Sequence, residues 1–260
     1  MKPVVLITGA SSGIGSALAK VFAAHGHELA LVARRQDRLE ALADEIAATG
    51  RPRPTVFTAD LERREAASII AAELSSQGLE PAFVVNNAGF GLRGAAAALS
   101  RDEQLAMIDV NVRALTELSL MFIDSVARHR GGILNVASLA AFLPGPGMAV
   151  YYASKAYVLS FSEALHRELA ERGVRVTALC PGPVPTEFQA RAGLSLPAAA
   201  RMLELSAERV AQIGYDAFMA GQRVVIAGTG NRLAASFMRL FPHALLLRLV
   251  DQGRAADATK

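Results

Sequence analysis

The chain has a single cysteine, Cys180, among its 260 residues. No intrachain disulfide can form and a thiol-ligated structural metal has no ligand set, a usage that fits a reducing compartment. Cys180 reads as a small buried apolar residue. Runs of one charge are also missing. Lys and Arg number 27 against 24 Asp and Glu, for a formal net charge of +3, and they are scattered, never lined up as tracking a phosphate backbone requires. Nucleic acid is not an expected partner. Nor is there a long apolar stretch near the start. Val4–Ile7 is too short for a signal-peptide core or a membrane span, so the expected location is cytoplasmic. No repeat of fixed period and no low-complexity tract occurs; Ala95–Ala98 is too short to count as one.

What is present is apolar residue in quantity. With 52% hydrophobic and 20% charged residues, the chain can bury a full core, and its length suits one α/β domain. Short β-branched runs at Val4–Thr8, Glu28–Ala33, Thr55–Thr58, Ala82–Asn86, Gly132–Ser138, Val174–Cys180 and Arg223–Ala227 read as strands. Between them lie helical patterns such as Leu39–Ala48, Glu65–Ser75 and Asp102–Arg128. Strand and helix in alternation imply a doubly wound parallel sheet with helices on both faces and about seven strands. Residues 1–230 are expected to form a dinucleotide-binding and catalytic domain, with 231–260 as its helical C-terminal extension.

In such folds ligands sit beyond the carboxyl ends of the strands. The first strand runs into "TGASSGIG", Thr8–Gly15, which opens a helix reaching about His25. Gly9 permits the tight turn, Gly13 removes a Cβ where backbone would meet a pyrophosphate, and Gly15 lets helix pack closely on strand. A glycine-rich turn alone is weak evidence; its place at the first βα unit strengthens it. The second strand ends in Ala33-Arg34-Arg35, with no carboxylate to accept from a ribose 2′-hydroxyl. Guanidinium groups pair with a 2′-phosphate, so the expected cofactor is NADP(H). Solvated arginines ahead of a helix are the alternative, although cations there oppose the helix dipole unless an anion binds.

Further along, "NNAG" (Asn86–Gly89) follows the fourth strand, Asn111 lies in a helical stretch, Ser138 closes the fifth strand, and "YYASK" (Tyr151–Lys155) begins another helix. Residues four apart share a helix face, which brings Tyr151 and Lys155 together; Tyr152, three away, pairs by period with Ala149 and Ala156. Spacing alone favours Tyr151 only modestly.

Together with "PGPVPT" (Pro181–Thr186), these elements closely resemble the short-chain dehydrogenase/reductase family over roughly residues 4–188. The resemblance implies that Tyr151, four before the lysine and thirteen after Ser138, is the catalytic acid. It further implies that Lys155 holds the nicotinamide ribose, that Ser138 hydrogen-bonds the substrate oxygen, and that Asn111 organises a water linking Lys155 to solvent. The cofactor would be lined by Gly9, Ser11, Ser12, Gly13, Ile14, Gly15, Arg34, Arg35, Asp60, Leu61, Asn87, Ala88 and Gly89, with Tyr151, Lys155, Pro181, Gly182, Val184 and Thr186 at its nicotinamide end. Tyr152 is assigned a packing or cleft-wall role. A phenol with an ordinary pKa of about 10 needs its anion stabilised, and Lys155 can supply the charge. No metal is required.

The implied activity is hydride transfer between NADP(H) and a carbonyl or alcohol. The segments expected to wall the pocket, Phe90–Arg93, Leu139–Met148 and Val184 to about Leu205, are mostly apolar and suit a small hydrophobic substrate. Arg93 and Arg191 could grip an anionic tail, but rim positions in solvent are the preferred reading. The alternatives are a 3-oxoacyl-thioester reductase and a non-enzymatic NADP(H)-binding regulator. Apolar positions around several faces of Asp102–Arg128 and Met148–Glu171 fit helices buried against another subunit, and family members often form homodimers or homotetramers. The basic, apolar stretch Asn231–Val250 is read as packing within the assembly, with contact to a membrane surface or capping of the cleft as alternatives. His243 is expected to face solvent or an interface, and Asp251–Lys260 to be a frayed end.

Overall fold

A computed structural model describes residues 1–193 and 201–240 of the chain. Seven strands form one parallel sheet: β1 (Lys2–Thr8), β2 (Leu29–Ala33), β3 (Thr55–Thr58), β4 (Leu79–Asn86), β5 (Gly132–Val136), β6 (Arg175–Cys180) and β7 (Val224–Ile226), in the order β3-β2-β1-β4-β5-β6-β7. The order reverses between β1 and β4. That switch point opens a crevice beyond the strand ends.

The strands are apolar on both faces because helices cover both; every residue of β2 and β5 is buried. On one face, helices Gly13–Ala24, Gln36–Ala48 and Ala207–Met219 enclose a core that includes Phe22, Phe83, Leu179 and Phe218. On the other, Ala66–Ser76, the segment Arg101–Arg128 and the long helix Ala149–Leu169 enclose Leu6, Ile70, Leu118, Ile133 and Val176. Between the sheet and the second layer runs a buried polar chain. The Asn86 amide donates to Ser119 Oγ (2.9 Å) and Asn135 Oδ1 (2.9 Å), and Asn135 donates to Ser162 Oγ (2.9 Å).

The structure refines two of these elements. β4 starts at Leu79, ahead of Pro81, because a register shift between Val4 and Val5 lets strand pairing continue past the proline. The stretch with helical periodicity, Asp102–Arg128, is helical in four pieces: Arg101–Ile108, a π-helical turn Asp109–Ala114, and helices Leu115–Met121 and Ile123–Arg128. The helix Thr229–Leu240, which holds the first part of the expected extension, lies against the short 3₁₀ turn Leu139–Phe142, with Ala235 buried. The rest of that extension, residues 241–260 with His243, and the part of the pocket wall at residues 194–200 lie outside the described residues. Among the described residues no helix is long and apolar enough to cross a membrane.

Candidate active site

The glycine turn and the loop after β4 are locked together. Gly9 and Gly13 have φ of +66° and +57°, the left-handed region that favours glycine. A Cβ on Gly15 would overlap Asn87 Nδ2 and the Gly9 carbonyl. The Asn87 amide donates to the carbonyls of Thr8 (3.0 Å) and Gly9 (3.1 Å), while Thr8 Oγ1 accepts from the backbone N–H of Asn87 and Ala88, each at 3.1 Å. The Asn87 side chain is thus spent on shaping the turn. Ile14 packs into the core beneath it, and Thr186 closes over Gly13, whose Cβ would come 3.1 Å from the threonine methyl.

The two arginines after β2 part company. Arg34 pairs with Glu62 at 2.9 Å. Arg35 turns onto the glycine turn, donating to Ser11 Oγ (3.1 Å) and Ser12 Oγ (3.0 Å) through Nη2 and to Glu187 Oε2 (2.8 Å) through Nη1. Asp60 accepts from the Glu62 backbone N–H at 3.1 Å, and Leu61 beside it is buried.

Ser138, Tyr151, Lys155 and Asn111 come together at the carboxyl ends of β4 and β5. Ser138 caps the 3₁₀ turn, its Oγ accepting from the Ala140 N–H (3.1 Å), and its hydroxyl acts on the Tyr151 phenol. Tyr151 is buried, which pushes its pKa up to about 12; the Ser138 bond pulls the other way and the neighbouring Tyr152 adds to the rise. Lys155 is 5% exposed. Burial lowers its pKa to about 8, Cys180 acting weakly in the opposite sense. Its ammonium donates to the Val136 carbonyl at 2.8 Å and stands 5.9 Å from the centre of the Tyr151 ring.

Asn111 is fully buried in the π turn. Its amide exchanges two bonds with the Phe90 backbone, both 3.0 Å, and donates to Ser154 Oγ at 3.1 Å; Ser154 in turn donates to the Tyr151 carbonyl at 2.7 Å. A Cβ on Gly89 would meet Asn111 Oδ1 at 2.9 Å and Lys155 Nζ at 3.4 Å, so glycine is needed where this loop crosses the pair. Tyr152 points elsewhere, its ring filling the space over Gly145.

Beyond the phenol the wall is apolar. Gly91 lies against Phe188, Met148 and Tyr151, and the Phe188 ring is 5.4 Å from that of Tyr151. The Pro181 carbonyl accepts from the Leu139 N–H at 2.9 Å, which ties the loop after β6 to the serine turn, and Val184 is buried within that loop. Arg191 stacks its guanidinium 4.2 Å from the centre of Phe90. Two residues escaped sequence reasoning. Asn231, buried against Gly182, donates to the carbonyls of Leu203 (3.1 Å) and Ala227 (2.8 Å), and Glu187 meets Arg35 across 152 positions. Neither carries a local motif that could have announced it.

Comparison with known proteins agrees with this architecture. The short chain dehydrogenase family model matches residues 3–195. Sulfoacetaldehyde reductase 2 of Chromohalobacter salexigens is 38% identical over 194 residues, 72% of this chain and 75% of that protein. The NADP-dependent 3-hydroxy acid dehydrogenase of Salmonella typhi is 39% identical over 191 residues, 71% of this chain and 74% of its own. Among solved structures, a short-chain dehydrogenase from Sphingobium yanoikuyae in complex with NADPH superposes with a TM-score of 0.80 at 31% identity, covering 98% of this chain and 96% of that one.

Proposed function

The chain belongs to the short chain dehydrogenase family, and from that premise we propose that it interconverts a hydrophobic carbonyl compound and its alcohol with NADP(H), using Tyr151 as acid and base. The observation that carries this reading is the convergence of Ser138, Tyr151, Lys155 and Asn111 beside the glycine turn at the sheet's switch point. The residues present fit a 2′-phosphorylated dinucleotide: a left-handed glycine turn opens a helix N-terminus, and Arg35 with Ser11 and Ser12 forms a donor cluster beside it. When bound, NADPH supplies the hydride. The protein supplies the rest.

The Ser138 hydroxyl, which already acts on the Tyr151 phenol, and the phenol itself would share the substrate oxygen. Tyr151 Oη gives its proton to that oxygen as negative charge builds there, or takes it from an alcohol in reverse. Burial alone makes the phenolate costly. Lys155 offsets this: at about 8 its pKa leaves the ammonium charged near neutrality, in a water-poor site where its field is strong. Asn111 holds the Phe90 loop and, through Ser154, the helix turn bearing Tyr151. The wall of Phe90, Met148 and Phe188 favours an apolar group on the substrate.

A second reading, a substrate with an acidic group, is favoured by Arg191. No ion pair engages it among the described residues, and it sits about one helical turn beyond Phe188. Two relatives are named for acidic compounds. A thioester substrate remains a third outcome. Self-association is supported by exposed Leu105, Ile108, Leu120, Met121 and Tyr157, which lie on helices of one sheet face. The single cysteine supports a cytoplasmic setting. The test is NADPH consumption against neutral hydrophobic ketones and aldehydes, aldehyde or keto acids, and acyl thioesters. Turnover strongest with neutral apolar carbonyls supports the first reading. Preference for acids that is lost in Arg191→Ala moves the assignment to the second.

A further inference from the structure

The short helix Glu187–Arg191 touches both ends of the proposed site. At one end Glu187 occupies the cluster that would receive a 2′-phosphate. Its carboxylate takes the Arg35 Nη1 hydrogen bond at 2.8 Å and lies 4.0 Å from Arg38; Ser12, which accepts from the same guanidinium at 3.0 Å, also favours its charged form. Arg35 holds the Glu187 carboxyl below the usual carboxylate range. At the other end Phe188 lies on the Tyr151 ring and against Gly91, where a substrate would have to reach the phenol. Next along the helix, Gln189 Nε2 is buried without a hydrogen-bond partner, so this closed arrangement is imperfectly satisfied. An anion in the donor cluster and a side chain over the tyrosine are thus adjacent residues of one helix.

We propose that Glu187 is a specificity-determining residue: its carboxylate stands in for the 2′-phosphate on Arg35 and Ser12, so a 2′-phosphorylated cofactor displaces it and draws Phe188 off Tyr151, whereas a cofactor without that phosphate leaves the helix closed. This rests on the NADP(H) reading and adds to it. Glu187 lowers affinity for every ligand that needs Arg35, and the site opens to substrate only when the preferred cofactor has arrived. Competition of this kind shifts binding by the free energy of the displaced pair, which for an exposed ion pair is a few-fold effect.

The experiment titrates adenosine 2′,5′-bisphosphate and adenosine 5′-monophosphate into the parent protein and Glu187→Gln by calorimetry. A Phe188→Trp reporter is followed in parallel; the natural chain has no tryptophan to interfere. Expected are a gain of about five-fold in bisphosphate affinity in Glu187→Gln, with the monophosphate unchanged, and a change in the reporter's indole emission with the bisphosphate only. If the bisphosphate binds preferentially but Glu187→Gln shifts neither ligand, or both alike, the latch is refuted and the cofactor reading stands. Preferential binding with a silent reporter refutes the opening of Phe188. Should the bisphosphate bind no better than the monophosphate to either protein, the assignment of Arg35 to the 2′-phosphate fails, and the latch with it.

Discussion

Replacing Lys155 by methionine should remove a cost that the fold carries for function. Lys155 is 5% exposed, and burial brings its pKa from 10.5 to about 8. That difference corresponds to roughly 3 kcal/mol of native-state destabilisation while the group is charged in both states. The unfolded chain holds this proton more tightly. Between about pH 8 and pH 10.5 the unfolded state therefore binds more protons, and the contribution of Lys155 to stability improves as pH rises through that window. Below about pH 8 the whole cost is present. Methionine matches the stem and does not titrate, while loss of the 2.8 Å bond to the Val136 carbonyl adds an offset that pH barely changes. Tyr151, pushed up to about 12 in the parent protein, keeps its proton across this window, and removing a cation only holds that proton more tightly, so it adds no slope there. Urea unfolding followed by circular dichroism at a series of pH values measures the stability difference between Lys155→Met and the parent protein. Its value should move by roughly 3 kcal/mol in favour of the parent between neutral pH and about pH 10.5. A difference that stays flat across this range would mean that Lys155 is not held as a buried charge, and the reasoning about how it supports Tyr151 would fall.

The same buried lysine predicts that kcat/KM for carbonyl reduction declines as pH rises through about 8, where the free enzyme's ammonium is lost; a value that holds steady up to about pH 10 would contradict it. Asn111→Ala leaves the Phe90 N–H and carbonyl and the Ser154 hydroxyl short of a partner, so urea unfolding should show a loss of about 2–4 kcal/mol, and an unchanged midpoint would remove Asn111 from its tethering role. For Arg35→Ala, NADPH affinity should fall about 10- to 100-fold with NADH affinity nearly constant, measured by fluorescence titration. Equal losses for both cofactors would assign Arg35 to shaping the turn.

The strand pattern was largely legible because each strand is a short apolar run bounded by turn residues. Thr55–Thr58 is reproduced at both ends, and β2, β6 and β7 differ by a single residue at one end or both. β5 stops at Val136, short of Ser138, because Ser138 becomes the cap of the next turn. Periodicity could not reveal the π turn at Asp109–Ala114, since one widened turn leaves the apolar spacing on either side nearly intact. Ordered motifs at fixed spacing pointed to Ser138, Tyr151 and Lys155, and the structure places the three side by side. The partners that tune them were hidden. Asn231 against Gly182 and Glu187 on Arg35 are long-range contacts between segments without a shared motif, and only the folded chain brings them together. The division of labour between Arg34 and Arg35 was hidden for the same reason, because it depends on where Glu62 and Glu187 fall.

The most direct test of the central claim compares the parent protein with Tyr151→Phe on the best carbonyl substrate of the panel, measuring NADPH consumption alongside NADPH affinity. The ring packing on Phe188 is kept and only the hydroxyl is lost. Turnover should fall by about 100-fold or more while NADPH affinity stays within about two-fold, as expected when a positioned proton donor is removed. Undiminished turnover in Tyr151→Phe would contradict the account.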